Sequence, residues 1–489
     1  MADFVAQAPT GSFVAQPSAE SLSPDPGAEP ATSDAGLVSS TLPRVTPASS
    51  VPVPPRPPRP TDPDAAATAP DDPAHDPNRP TQDWRVLLVV FWLTSMVEGL
   101  GVSQIFALVP SYLREMGVPE ADRLAFVGLF SALIFVVGMP LVPLWGVWAD
   151  KYSRKAVIVR SALVEAVVFA GVALSREPWQ LALSMLLIGF QLGNTGVMLA
   201  GIRDVTPRRR LGTVMGIFGA SSAVGMALGP TLAGVLIDGL GWSLPMVFWT
   251  SAGLSVGTAL LVTFGSREVR PEVVPQGRVL TLAFGAVRGV LRDPTVRRIF
   301  LIFGVSFLAN QMSRPYIPVV VEGLVGTGPG LASGIALVMG TAALVGGLIA
   351  PFGGLLGDRI GFRPVLAAAL AGGGSAILLM PFVPAVAALA GLAVVLSTAT
   401  ATVSAMVFGM LATEIPADRR SVTLNLVYLP LYTAGIIGPA VGAGVVTVVG
   451  LPGPFVLGGI VFLAGAVVMA TRRPAPTAPP TPTAAATDT

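Results

Sequence analysis

The residues with chemistry to offer lie in an unusual solvent. Glu98, Glu165, Arg160 and Arg314 each sit inside a long, otherwise apolar stretch, where an ionised side chain is costly unless it is paired or faces a water-filled cavity. Glu98 lies 12 residues into its stretch, ~18 Å deep at ~1.5 Å per residue. Desolvation there disfavours the charged form, so proton uptake near neutral pH is feasible. Glu165 lies about as deep, with Arg160 a turn or so below; the two read either as a structural pair or as a second proton site. Asn310, Gln311 and Arg314 follow one another on a later stretch, with Tyr316 above. Arg314 there can bind an anionic group or act as counter-ion to an acid. Gln191 and Asn194, and then Asn425, Tyr428 and Tyr432, are candidates to line the same space. The commoner fate of a lone membrane Asn is to bond helix to helix.

Other chemistry is excluded by what is missing. There is no cysteine, so no disulfide, thiolate nucleophile or Cys-ligated metal. The two lysines, Lys151 and Lys155, follow no phosphate-binding glycine loop, which removes an ATP-driven pump. Gly253-Leu-Ser255-Val-Gly257 spells a hydrolase nucleophile elbow, but it lies within an apolar segment. The sole histidine, His75, is far away in a proline-rich tail, so no Ser-His-Asp triad forms. No His/Cys cluster offers a transition-metal site.

The surrounding sequence must place these residues in lipid. Of 489 residues only 12% are charged and 52% are hydrophobic, half the charge of an ordinary soluble domain, and mean hydropathy is +0.71. Twelve apolar segments follow one another at roughly 86–111, 124–149, 156–175, 179–201, 211–237, 244–265, 299–321, 331–356, 364–382, 385–411, 422–447 and 452–471, each long enough to cross a ~30 Å core as a helix. The two tails hold 23 of the 46 prolines and no sustained apolar periodicity, so they read as disordered. The run from Pro54 to Pro60 favours a polyproline spacer. No signal peptide opens the chain.

Charge sets the orientation. Residues 1–83 carry a net −7 and the remainder +9. Twenty Lys and Arg fall in loops on the side of the tails, against three, Arg114, Arg123 and Arg176, on the other. The positive-inside rule puts both termini in the cytoplasm. It also explains the arginines of 266–298 more simply than nucleic-acid binding does.

The chain repeats itself. A shift of 208 places Pro110 on Pro318, Pro143 on Pro351, Gly146 on Gly354 and Asp150 on Asp358. Shifts of 209 and 210 place Gly229-Pro230 on Gly438-Pro439, and Asp204 and Arg210 on Glu414 and Arg420. Two six-helix halves of parallel topology follow, an arrangement typical of secondary transporters with a site near the midplane. The domain plan is a tail (1–84), an N-terminal bundle (85–265), a central loop (266–298), a C-terminal bundle (299–471) and a second tail (472–489).

Motifs inside the repeat sharpen this. Gly146-Val-Trp-Ala-Asp150-Lys151-Tyr-Ser-Arg154-Lys155 resembles the loop 2–3 signature of the major facilitator superfamily, and Gly354-Leu-Leu-Gly-Asp358-Arg359 is a degenerate second copy. Gly225-Met-Ala-Leu-Gly229-Pro230-Thr-Leu-Ala-Gly234 is similar to the antiporter motif of that superfamily's drug:proton branch. The stretch 142–163 looks like bacterial multidrug-resistance exporters. The resemblance covers 85–471 and departs in two places: Ser153 replaces a common glycine, and no Arg lies between Trp179 and Arg203, where many relatives carry a proton-linked one.

The resemblance implies an all-α integral membrane protein of twelve helices that exports small amphipathic compounds, drugs among them, against protons. It would be monomeric in the plasma membrane, with lipid, substrate and protons as partners, no nucleic acid, and no cofactor or metal. Gly146, Asp150, Arg154, Asp204, Arg210, Gly354 and Asp358 would brace a conformational gate. The alternatives are a transporter of one metabolite such as a sugar, and a transport-inactive scaffold or sensor.

Overall fold

A computed structural model describes residues 82–271, 274–414, 426 and 428–471. Both tails beyond these, and Asn425, lie outside the described residues. Every regular element among the described residues is helical, as lipid demands, since a helix satisfies its own backbone polar groups.

The first half contains six helices: α1 (Trp84–Glu115), α2 (Glu120–Lys151), α3 (Arg154–Leu174), α4 (Pro178–Val205), α5 (Leu211–Gly239) and α6 (Leu244–Gly265). A shorter helix, α7 (Val279–Arg292), follows in the central loop. The second half opens with α8 (Pro294–Ser313), which passes through a 3-10 turn at Arg314–Tyr316 into α9 (Ile317–Val325). Next comes α10, which runs from Leu331–Ile335 through a π turn into Thr341–Ile360. Then come α11 (Phe362–Phe382), α12 (Val386–Glu414), α13 (Tyr428–Val449) and α14 (Pro452–Thr471). Eleven of the described helices are long and apolar enough to cross a membrane. The seventh of the twelve expected segments is the exception: it is the α8–α9 pair, interrupted at Arg314-Pro315-Tyr316 and carrying Arg297 and Arg298 in its first turns.

Local signals start and stop these helices. The Asp83 carboxylate accepts from Arg85 N at 2.9 Å to open α1, Ser153 Oγ accepts from Ala156 N at 3.0 Å to open α3, and Asp293 accepts from Thr295 N at 2.9 Å to open α8. Gly361, at φ +92°, turns the chain between α10 and α11, a conformation that a Cβ disfavours.

Glycine also sets how closely helices approach. A Cβ on Gly225 would overlap the Met96 carbonyl, and one on Gly229 the Leu100 carbonyl, so α5 rests on α1 backbone against backbone. From the other side, a Cβ on Gly99 would come within 2.8 Å of the Ser222 carbonyl. The second half repeats the joint: a Cβ on Gly438 would lie 2.8 Å from Leu308 O, and one on Gly442 2.9 Å from Met312 O, seating α13 on α8. The 209-residue shift seen in the sequence is thus a shared packing device. Between the halves, α5 meets α10, where a Cβ on Gly340 would come within 2.8 Å of Thr231 Oγ1 and one on Gly347 would press on Ala223. Meanwhile α2 meets α13, with the Phe135 ring against Gly435.

Candidate functional site

Two of the helices that carry candidate residues are broken where those residues sit. After Leu187, α4 tightens into a 3-10 turn (Ile188–Phe190), passes through Gly193 at φ +100°, and restarts at Asn194. Gln191 occupies the break and Asn194 begins the restarted helix. Asn194 Nδ2 donates to Glu98 Oε2 at 3.1 Å, which sets the carboxylate against a helix N-terminus, where the macrodipole favours an anion. Irregular backbone at membrane depth is tolerated where it is enclosed by protein or lines a cavity. The other break, in the α8–α9 pair, delivers Arg314.

Glu98, Asn310, Arg314, Tyr428 and Tyr432 are each only partly buried despite their depth, so they line the space between helices. Among the described residues no cation pairs with Glu98. Tyr428 and Tyr432 lie within its electrostatic reach. These two rings belong to an aromatic series that runs from Phe408 on α12 through Tyr428 and Tyr432 on α13 to Phe135 on α2, with centroids 6.5, 6.4 and 6.0 Å apart. Arg314 lies over the Phe106 ring of α1, 4.4 Å from its centroid, a cation–π contact eight residues beyond Glu98 along the same helix. Gln311 is buried and turns toward α13, where its Cβ would lie 2.9 Å from a Cβ on Gly438.

Glu165 sits behind this space. Only 3% exposed, it reaches α1 at Gly101, where a Cβ would stand 2.9 Å from its Oε1. Ser255 of α6 is beside it. One turn further on, Ser251 donates to Gln104 of α1. Glu165 Oε1, both amide atoms of Gln191, and Asn194 Oδ1 are buried without a hydrogen-bond partner in the protein. Arg160 does not pair with Glu165. Its guanidinium lies 3.6 Å from the centroid of Trp145 and donates to Ser161 Oγ at 2.7 Å.

At the end of the first half where α1 begins, three of the residues nominated for a gate form an ion-pair chain. The buried Arg154 binds Asp150 Oδ1 through Nη2 at 2.8 Å and Asp204 Oδ2 through Nη1 at 2.7 Å, and Arg203 adds a contact to Asp204 at 3.1 Å. Sequence reasoning missed Glu268, which accepts from Ser153 Oγ at 2.5 Å and from Arg154 N at 2.8 Å, and so caps α3 from the central loop. The available signal was an acid close behind α6 in an arginine-rich loop. Arg210 stands over Trp84, 5.7 Å from its centroid, apart from Asp204. Gly146 and Gly354 face open space, and the Asp358 side chain lies outside the described ones. In the antiporter-type motif, Gly225, Gly229 and the helix-internal Pro230 are buried in α5. Gly234 faces α10, where a Cβ would come within 3.1 Å of Ala336.

The opposite end carries a second missed residue. Glu322, on α9, bridges Arg114 of α1 at 3.0 Å and Arg123 of α2 at 3.1 Å, tying one half to the other. Asp238 at the end of α5 accepts from Ser333 N of α10 at 2.7 Å nearby. Two of the three arginines that break the charge asymmetry are the ones in this clasp.

Two bundles joined through glycine seams, broken helices at mid-depth and ion pairs at both ends describe a secondary transporter. The family model of the Major Facilitator Superfamily matches residues 91–346 and 299–488. The chain belongs to that superfamily. It is similar to multidrug resistance protein MdtG of Citrobacter koseri, 32% identical over 293 residues that cover 59% of this chain and 70% of the relative. MdtG of Escherichia coli O81 is 30% identical over 298 residues, 60% and 71% of the two chains. Among solved structures, the nucleoside transporter NupG aligns with a TM-score of 0.65 at 16% identity over 78% of this chain and 99% of its own. The human organic anion transporter MFSD10 aligns with 0.58 at 18% identity over 80% and 100%. The chain is thus a multi-pass membrane protein that lives in lipid and moves a small molecule.

Proposed function

We propose that this transporter exports drug-like amphipathic compounds from the cytoplasm in exchange for protons. It would act as a monomer in the plasma membrane, with both termini inside and no bound cofactor. The observation that carries the reading is Glu98: a mid-depth carboxylate facing the inter-helix space, bonded to a neutral amide and paired with no cation among the described residues. A carboxylate so placed is stable when it holds a proton or when a cationic guest stands beside it, which is the logic of antiport by mutual exclusion. Glu165 of α3, which reaches α1 at Gly101 one turn on from Glu98, is next in line for the same role. Gln191, Asn194, Asn310, Gln311, Arg314, Asn425, Tyr428 and Tyr432 would contact substrate. The chain Asp150–Arg154–Asp204, with Gly146, Arg210, Gly354 and Asp358, would brace the cytoplasmic gate, and the seam glycines Gly225, Gly229 and Gly234 with Pro230 would keep α5 in step with its neighbours. The names of the relatives favour drug efflux over a single metabolite.

The test is proton release when tetraphenylphosphonium is added to the detergent-solubilised protein. Wild type should release protons, and Glu98→Gln should not, while retaining downhill exchange in proteoliposomes. Equal release from both would move coupling away from Glu98.

A further inference from the structure

The central loop holds a helix whose faces do not suit water. In α7 (Val279–Arg292), Ala283 is buried against the protein, and the helix packs on the 138–151 part of α2. Its start is held there by Lys151 Nζ, which donates to the Gly277 carbonyl at 2.6 Å. A second face is apolar and open: Leu280 is 61% exposed, Phe284 51% and Leu291 41%. At ~100° per residue these three fall within about 40° of one another, a continuous stripe along the helix. The third face, next round the axis, carries the exposed Thr281, Arg288 and Arg292, and Arg278 precedes the helix. The chain leaves α6 at Gly265 and enters α8 at Pro294, so α7 follows one membrane-crossing segment and precedes the next.

We propose that α7 is an interfacial helix that binds anionic lipid. The Leu280–Phe284–Leu291 stripe enters the acyl boundary, and Arg288 and Arg292 reach lipid phosphates at headgroup level. Charge decides this occupant. An apolar stripe alone fits any greasy partner, but a stripe flanked on one side by arginines matches a surface that is apolar below and anionic above. Two neighbouring faces with these chemistries are what a helix lying in the interface plane needs. Because α7 rests on the part of α2 that carries Asp150, lipid engaged there also restrains the segment that braces the gate.

The native chain has no cysteine, so single spin labels report cleanly. One label replaces Phe284 (Phe284→Cys) and another Thr281 (Thr281→Cys), each in the full chain in vesicles of phosphatidylcholine, with or without phosphatidylglycerol. With phosphatidylglycerol, the label at 284 should collide preferentially with oxygen and the label at 281 with a water-soluble nickel chelate. Arg288→Gln with Arg292→Gln should weaken the dependence of that depth on phosphatidylglycerol by about tenfold or more, at ~1 kcal/mol per basic residue near an anionic surface. These substitutions fall on exposed side chains, so the fold should survive them. Equal nickel accessibility at both positions would overturn the proposal. So would shielding of position 284 from both reagents, which would mean a protein partner, or a depth at 284 indifferent to lipid charge.

Discussion

Glu322→Gln should open the end of the protein remote from Trp84, where α1 begins. The carboxylate holds Arg114 at 3.0 Å and Arg123 at 3.1 Å, with side chains 27%, 9% and 10% exposed for Arg114, Arg123 and Glu322. Helix electrostatics do not explain the placement. Glu322 sits near the C-terminus of α9 and Arg123 near the N-terminus of α2, each at the end where the macrodipole opposes its charge. The pairing across the halves must supply what those ends withhold. Each contact is worth about 5 kcal/mol of Coulomb energy at an effective dielectric of ~20, most of it offset by desolvation. Exposed pairs net ~0.5 kcal/mol, and breaking buried ones costs about 3–5 kcal/mol. With Arg123 buried and Arg114 near the rim, the loss should be about 2–3 kcal/mol. Gln leaves Arg123 unpaired in the closed state but hydrated in the open one, so the whole loss favours opening. The population ratio should shift by about 30- to 150-fold. Spin labels on Glu120→Cys and Thr327→Cys, exposed on opposite halves, would read this as a longer distance by pulsed electron resonance. Arg123→Gln should add little once Glu322 is gone, because the interaction it removes is already lost. Unchanged distances in Glu322→Gln, or full additivity of the two substitutions, would refute the reasoning.

At the opposite end, Asp150→Asn should slow turnover with substrate affinity held within a few-fold, because Asp150 touches Arg154 and not the cavity. Arg154→Gln should slow it more, since it strands two carboxylates; equal effects in a single-turnover assay would argue against the chain acting as one brace. Gly229→Leu should force α5 off α1, because even a Cβ overlaps the Leu100 carbonyl, and cost at least about 3 kcal/mol of stability. A melting temperature and membrane abundance like those of wild type would contradict the seam.

The large-scale plan was legible because lipid imposes it. Segment length, arginine placement and the 208- to 210-residue shifts all arise from constraints that act on sequence alone. Glu98 and Asn194 could be nominated because polar residues stand out against an apolar background. Their contact could not, since it depends on α4 breaking at Gln191–Gly193, and the local signal was Gly189 and Gly193 flanking that site in an apolar segment. Arg160 misled for a related reason. Sequence spacing put it below Glu165, but helix rotation turns it to Trp145. Glu322 and Glu268 were missed because their partners lie far along the chain, and a lone acid near a helix end or in a loop carries no periodicity to mark it.

The glycine seam between α1 and α5 sets how force travels. A joint made of side chains yields, because rotamers shift and absorb small displacements. Carbonyl against Cα has no such slack, so a tilt or slide of α1 is handed to α5 nearly undiminished. The other side of α5 meets the second half at Thr231–Gly340 and Ala223–Gly347. In the proposed coupling, a proton arriving at Glu98 would therefore act at one end of a stiff crank whose far end already bears on the opposing bundle. The variants that let protons bind without moving cargo should lie along that crank, at positions that touch neither.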